Sequence, residues 1–251
     1  MGDLKTRLIL VGVGGATCSG KTTLAKHLKN ILPNSVIIHQ DDFAPPPELI
    51  PYHPDYNVQD WDSPQGAIEW PRLRTFLRTV KEDGRLPSDH QSYDHFNEQK
   101  DFPIDARYVD NLKKEFEHIS EYVRAEEGIQ ITWGLVDGFL LYWDQDVAAQ
   151  LDVCIFLRVP HDELKKRRHE RHDWYTTEGT LWHDPPQYWE QVVYPAFLEA
   201  HRDLFENGDV EQGKPSGVTV KELMVLETAR METTDVVAAC CAKLKAFILN
   251  S

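Results

Sequence analysis

The chain has 251 residues, 41% apolar and 27% charged, enough to bury a core and too apolar for a disordered protein. Its formal net charge of −14 argues against a broad nucleic-acid surface, because phosphate backbones attract basic proteins. The four cysteines (Cys18, Cys154, Cys240 and Cys241) fit no zinc spacing, and the longest apolar stretch, Trp133 to Trp143, holds Asp137 and is too short to span a membrane. A reduced protein of the cytoplasm is expected, with no signal peptide.

The start, Met1 to Thr6, fits the loose pattern for N-myristoylation, but a strand is expected to begin almost at once, which argues against a lipid anchor. Leu8 to Val13 is a short apolar run ending in glycine and reads as a buried parallel strand. A helix is predicted from Lys21 to Leu32, with Leu24, Leu28 and Ile31 on one face and Pro33 as its stop. Val36 to Ile38 is the second strand and runs into Gln40-Asp41-Asp42-Phe43. Ala44 to Asp62 is a proline-rich loop, of a length that is often functional in compact domains. Helices follow near Gln65–Glu82 and Ala106–Glu126, separated by a polar excursion from Pro87 to Pro103. Ile129–Val136 and Val153–Val159 are further strands. Asp162 to His172 is a strongly basic helix and Gln187 to Phe205 an amphipathic one. Glu206 to Ser216 is a polar loop, Met224 to Leu226 the last strand and Thr234 to Leu249 the closing helix. Strands alternating with helices imply βαβ units in one α/β domain: a doubly wound parallel sheet with helices on both faces and a helical lid.

Gly15-Ala16-Thr17-Cys18-Ser19-Gly20-Lys21-Thr22 matches the phosphate-binding pattern G-x-x-x-x-G-K-S/T, and Thr23 follows it. Glycines let the backbone wrap phosphate oxygens with its N–H groups inward, Lys21 adds a point charge, and the Thr22 hydroxyl suits Mg²⁺. The setting between a strand and a helix separates this from a glycine-rich structural turn, and ATP with Mg²⁺ is the expected pairing.

Ligands of such sheets lie beyond the carboxyl ends of the strands. Asp41 and Asp42 follow the second strand and Asp137 the third. A kinase acting on an alcohol needs a base beside the acceptor hydroxyl and ligands for Mg²⁺. Asp41 suits the first task and can share in the second; Asp137 suits the second, directly or through water. The bland alternative for each is a turn cap. In the basic helix Lys165–His172, Arg168 and Arg171 share a face, and arginines there can steady transferring phosphoryl charge; the alternative is a solvated helix face. Trp61 and the pair Trp174-Tyr175 offer faces for a planar or cationic ring, and Asp60 or Asp62 can accept from ribose hydroxyls; ordinary loop packing explains the aromatics equally well.

Together these residues resemble the nicotinamide riboside kinases, small P-loop nucleoside kinases close to the uridine kinases. The resemblance runs over most of the chain and rests on Ser19–Lys26, Gln40-Asp41-Asp42-Phe43, Gly138-Phe139-Leu140-Leu141, Lys166-Arg167-Arg168 with Arg171, and Tyr188-Trp189 leading to Val193-Tyr194-Pro195. It implies phosphorylation of the 5′-hydroxyl of nicotinamide riboside by ATP, with a uridine/cytidine or other small-metabolite kinase as the nearest alternative and a nucleotide-hydrolysing switch further off. It implies catalysis by Asp41, Lys21 and Arg168. Nucleotide contacts would come from Gly15 to Thr23, Arg167 and Arg171, and metal contacts from Thr22, Asp41 and Asp137. The substrate set would be Asp41, Asp42, Phe43, Trp61, Asp62, Arg168 and Trp174. The sequence departs from the family pattern in having Trp61 for Tyr and Asp137 for Glu. Its lid does not align cleanly, and 87–103 and 206–218 look like insertions.

Overall fold

A computed structural model describes residues 5–87, 90, 92, 102–171, 174, 175 and 181–250, with 174 and 175 described by backbone alone. The N-terminal lipidation pattern and most of the 87–103 excursion lie outside the described residues. Five parallel strands form one sheet in the order β2-β3-β1-β4-β7: β1 (Lys5–Gly15), β2 (Ser35–His39), β3 (Ile129–Gly138), β4 (Val153–Arg158) and β7 (Leu223–Glu227).

Successive side chains of a strand point to opposite faces, and both faces here are covered. Leu8 and Leu10 of β1 join a core with Leu73 and Leu77 of α2 (Trp70–Asp83), Val147 of α4 (Gln145–Ala148) and Ala200 of α6 (Tyr194–His201). Ile9, Val11 and Val13 join the opposite core, with Leu24 and Leu28 of α1 (Lys21–Ile31), Phe116 of α3 (Ala106–Glu127) and Leu244 of α7 (Thr233–Leu249). This is the expected doubly wound sheet. Because β1 lies between β3 and β4, connections leave it in both directions and open a crevice beyond its carboxyl end.

Two elements differ from expectation, each through a proline. The first helix after the proline-rich loop starts at Trp70 rather than near Gln65, because Pro71 in its first turn needs no N–H partner, and Glu69 N–H is taken by Phe43 O at 2.8 Å. The amphipathic stretch from Gln187 is not one regular helix. Trp189–Val193 forms a widened turn ahead of Pro195, whose missing N–H interrupts the ladder, and α6 resumes beyond it.

The lid begins with α5 (His161–Arg171). Beyond it Trp174–Tyr175 (β5) and Leu181–Trp182 (β6) pair antiparallel. Leu164 of α5 packs with Ala16 of the phosphate loop and with Tyr188, Trp189, Val192 and Val193, a small core that seats the lid over the crevice.

Candidate active site

The loop between β1 and α1 is shaped by backbone that only particular residues tolerate. Gly15 has φ +138°, and a Cβ there would meet the Leu157 carbonyl oxygen at 2.5 Å; Gly20 has φ +97°. Lys21 is buried, and its Nζ donates to Ala16 O at 2.8 Å. Ser19 Oγ is buried with no hydrogen-bond partner among the described residues. A buried lysine that donates to a backbone carbonyl, an orphan hydroxyl and the N-terminus of α1 make a cradle for an anion, and the residues present fit a nucleotide's phosphates.

Beside the cradle, parallel pairing sets His39 at the end of β2 opposite Asp137 near the end of β3. Asp137 Oδ2 accepts from Thr22 Oγ1 and lies 3.3 Å from His39 Nδ1. The chain then tightens into a single turn, Gln40–Phe43, where successive side chains point about a third of a revolution apart. Asp41 keeps solvent access, whereas Asp42 and Phe43 are buried. Phe43 packs edge-on to Phe76 and under the Arg72 guanidinium, and Asp42 lies 3.8 Å from His90. Of the adjacent carboxylates Asp41 and Asp42, both read as substrate contacts, only Asp41 is open to solvent. Phe43, read as a third contact, belongs to the core beneath α2.

Loss of hydration among the neighbouring groups, and after it the Asp137 carboxylate, push Asp41 up to about 6, against the pull of Lys21 and His39. Burial acts to raise Asp137 as well, but the hydrogen bond from His39, the charges of Lys21 and His39, and the Thr22 hydroxyl outweigh it and hold Asp137 below the ordinary carboxylate value. Among the described residues no group of three or more His, Cys, Asp or Glu is arranged to hold a metal. Mg²⁺ in a phosphate-binding site needs fewer protein ligands, since phosphates and water fill its octahedron, and the Thr22 hydroxyl with the Asp137 and Asp41 carboxylates suits that donor set.

The two adjacent arginines of α5 point to different places. Arg167 Nη1 donates to Cys18 O of the phosphate loop at 3.3 Å. Arg168 is 6% exposed; its Nε and Nη2 form a fork on Asp184, at 2.6 and 2.9 Å, and Nη2 lies 3.7 Å from Asp62. Burial pushes Asp62 up to about 6, opposed by Arg168 and reinforced by Asp184, Asp60 and Asp41. Arg171 stands in the last turn of α5. Tyr188 ties the proline-rich loop to the lid: its hydroxyl accepts from Trp61 N–H at 3.0 Å and donates to Gln59 O at 2.9 Å.

Trp61 meets Trp182, with ring centroids 5.7 Å apart and an interplanar angle of 56°. The lid aromatic read from the sequence was Trp174 or Tyr175, whose side chains lie outside those described. Trp182, Asp184 and His39 were missed, and Tyr188 was read only as part of the segment after the lid, with no site role. One signal was available for the first two: Trp182 and Asp184 are two apart in an extended segment, so they share a side. Trp182 Nε1 donates to Asp184 Oδ1 at 3.0 Å.

No family model matches the sequence. Among curated proteins, the chain is 33% identical over 209 residues to the nicotinamide riboside kinase of Saccharomyces cerevisiae, covering 82% of each chain. It is 34% identical over 204 residues to that of Schizosaccharomyces pombe, covering 81% of this chain and 84% of the relative. It is 30% identical over 200 residues to human nicotinamide riboside kinase 2, covering 80% and 70%. A sugar kinase structure from Janibacter sp. superimposes at TM-score 0.43 with 14% identity over 95% of both chains, too distant a likeness to argue from.

Proposed function

The chain belongs to the nicotinamide riboside kinases, and from that premise we propose that it moves the γ-phosphoryl group of ATP to the 5′-hydroxyl of nicotinamide riboside, giving the mononucleotide. The observation that carries this reading is the placing of two different half-sites around one crevice. The phosphate cradle with Lys21, Thr22, Asp41 and Asp137 lies on one side, and Asp62, Arg168 and the aromatic faces of Trp61 and Trp182 lie on the other. Adjacent arginines of α5 tie the two together, Arg167 on Cys18 O of the phosphate loop and Arg168 on Asp62.

In this reading Asp62, steadied by Arg168, accepts from the ribose hydroxyls and fixes the sugar. Asp41 accepts the proton of the 5′-hydroxyl as that oxygen bonds to the γ-phosphorus and the bond to ADP breaks. Lys21 and the loop N–H groups hold the phosphates, and Arg167 links the lid to the same loop. Thr22, Asp137 and Asp41 would hold Mg²⁺, which supplies counter-charge to the phosphates when bound. Trp61 and Trp182 offer faces to the pyridinium ring.

The partner is a small nucleoside rather than nucleic acid, in keeping with the −14 net charge. The four cysteines are free, and no described helix is long and apolar enough to cross a membrane. ADP release measured with nicotinamide riboside, uridine, cytidine and pantothenate tests the whole reading. The highest kcat/KM is expected with nicotinamide riboside, and a preference for uridine would overturn the substrate while leaving the kinase.

A further inference from the structure

The fork of Arg168 on Asp184 bears on charge selection. Two carboxylates, Asp62 and Asp184, approach one guanidinium, and a third stands behind them, since Asp62 N–H donates to Asp60 Oδ1 at 3.2 Å. The fork to Asp184 is short and two-pronged, whereas the approach to Asp62 is 3.7 Å. Asp184 therefore neutralises most of the arginine charge, and Asp62 is left with uncompensated negative charge beside Trp61 and Trp182. Without Asp184, Arg168 would offset Asp62 and the corner would lose one unit of negative charge, leaving only that of Asp60. The bond from Trp182 Nε1–H to the Asp184 carboxylate also leaves the indole face more electron-rich, which favours a cation over that face.

We propose that Asp184 is a specificity-determining residue: its carboxylate, held between Arg168 and Trp182, makes the ring subsite select nucleosides whose base carries a positive charge over neutral ones of the same shape. This rests on the kinase reading of the site. It differs from a latch, in which Asp184 would merely occupy Arg168 until any nucleoside displaced it.

The test compares nicotinamide riboside with its uncharged 1,4-dihydro form, which has the same hydroxyls and nearly the same outline. Binding is read by tryptophan fluorescence and turnover by kcat/KM, in the wild type, Asp184→Asn and Asp184→Glu, with a thermal melt to confirm folding. Asp184→Asn is expected to lower the preference for the cationic form about tenfold, as loss of one charge a few Å away in a partly wet cleft implies. Asp184→Glu, which keeps the charge, should retain most of it. An equal loss for both ribosides in Asp184→Asn would overturn the proposal and make Asp184 only a positioning group for Arg168. An equal gain for both would overturn it in favour of the latch. Because the binding ratio needs no turnover, absent kinase activity would sink the reading of function without deciding this one.

Discussion

Asp41 and Asp137 close the carboxyl ends of adjacent parallel strands, and the Asp137 carboxylate makes Asp41 harder to ionise while His39, Lys21 and Thr22 keep Asp137 itself charged. Two neighbouring acids are thus driven apart in proton affinity, the arrangement that separates a base from a permanently charged group.

The first consequence is a pH profile. Asp41 and Asp62 are both pushed up to about 6, and the proposed chemistry needs both ionised. The kcat/KM for nicotinamide riboside should fall below about pH 6 with a limiting slope of about two in the logarithmic plot, reduced to about one in Asp62→Asn. For stability the sign is opposite. Between the ordinary value of 3.8 and about 6, the folded state binds more protons at these two groups than the unfolded chain does, so they add stability as pH falls through that window. Asp137, held low, loses its contribution only as pH drops through its depressed value. Activity should therefore disappear near pH 5 while the melting temperature holds. Parallel loss of both would show unfolding instead.

Asp41→Asn removes the positioned base and should lower kcat by roughly 10²–10⁴, with little change in nucleoside affinity. Asp42→Asn should act on thermal stability rather than kcat, because Asp42 is buried near His90. Steady-state kinetics of the two variants side by side decide which carboxylate of the pair does the chemistry. A large kcat loss confined to Asp42→Asn would reverse the assignment.

Lys21→Ala should abolish turnover in a folded protein, since no neutral group replaces a phosphate counter-charge. The thermal shift produced by ATP with Mg²⁺ should vanish with it. A folded variant with near-wild-type kcat would refute the phosphate cradle.

Ring and sugar contacts should separate in kinetics. A cation over a Trp face gains about 0.5–2 kcal/mol, so Trp61→Leu and Trp182→Leu should each weaken nicotinamide riboside more than uridine. Asp62→Ala should weaken every riboside, uridine included, because the hydroxyls are shared, and nicotinamide riboside somewhat more, because the carboxylate charge beside the ring is lost with it. Values of kcat/KM for both nucleosides in the three variants give the test. An unchanged preference ratio in the Trp variants would mean that these rings only pack against each other and against Tyr188.

The order of strands and helices was legible because both faces of the sheet are covered, so each strand reads as an apolar run and each helix as a periodic one. Helix ends were less legible where proline acts through its missing N–H. The start at Trp70 and the widened turn at Trp189–Val193 follow from Pro71 and Pro195, whose effects depend on which carbonyls lie in reach.

The sequence by itself determined the phosphate cradle, because its chemistry is local: residues Gly15 to Thr22 supply the turn, the N–H groups, the charge and the hydroxyl within one contiguous stretch. It also determined that acids end β2 and β3, since a strand end can be read from the apolar run before it. Only the tertiary structure decided which acid of Asp41-Asp42 is open to solvent, that Trp182 rather than another lid aromatic meets Trp61, and that Asp184 takes the fork of Arg168. Those pairings join residues from 16 to 121 positions apart, counted from the numbers of Arg168 and Asp184 and of Trp61 and Trp182. Contacts of that kind are set by how Leu164 of the lid packs on Ala16 and Tyr188, and packing between distant segments leaves no periodic trace in either one.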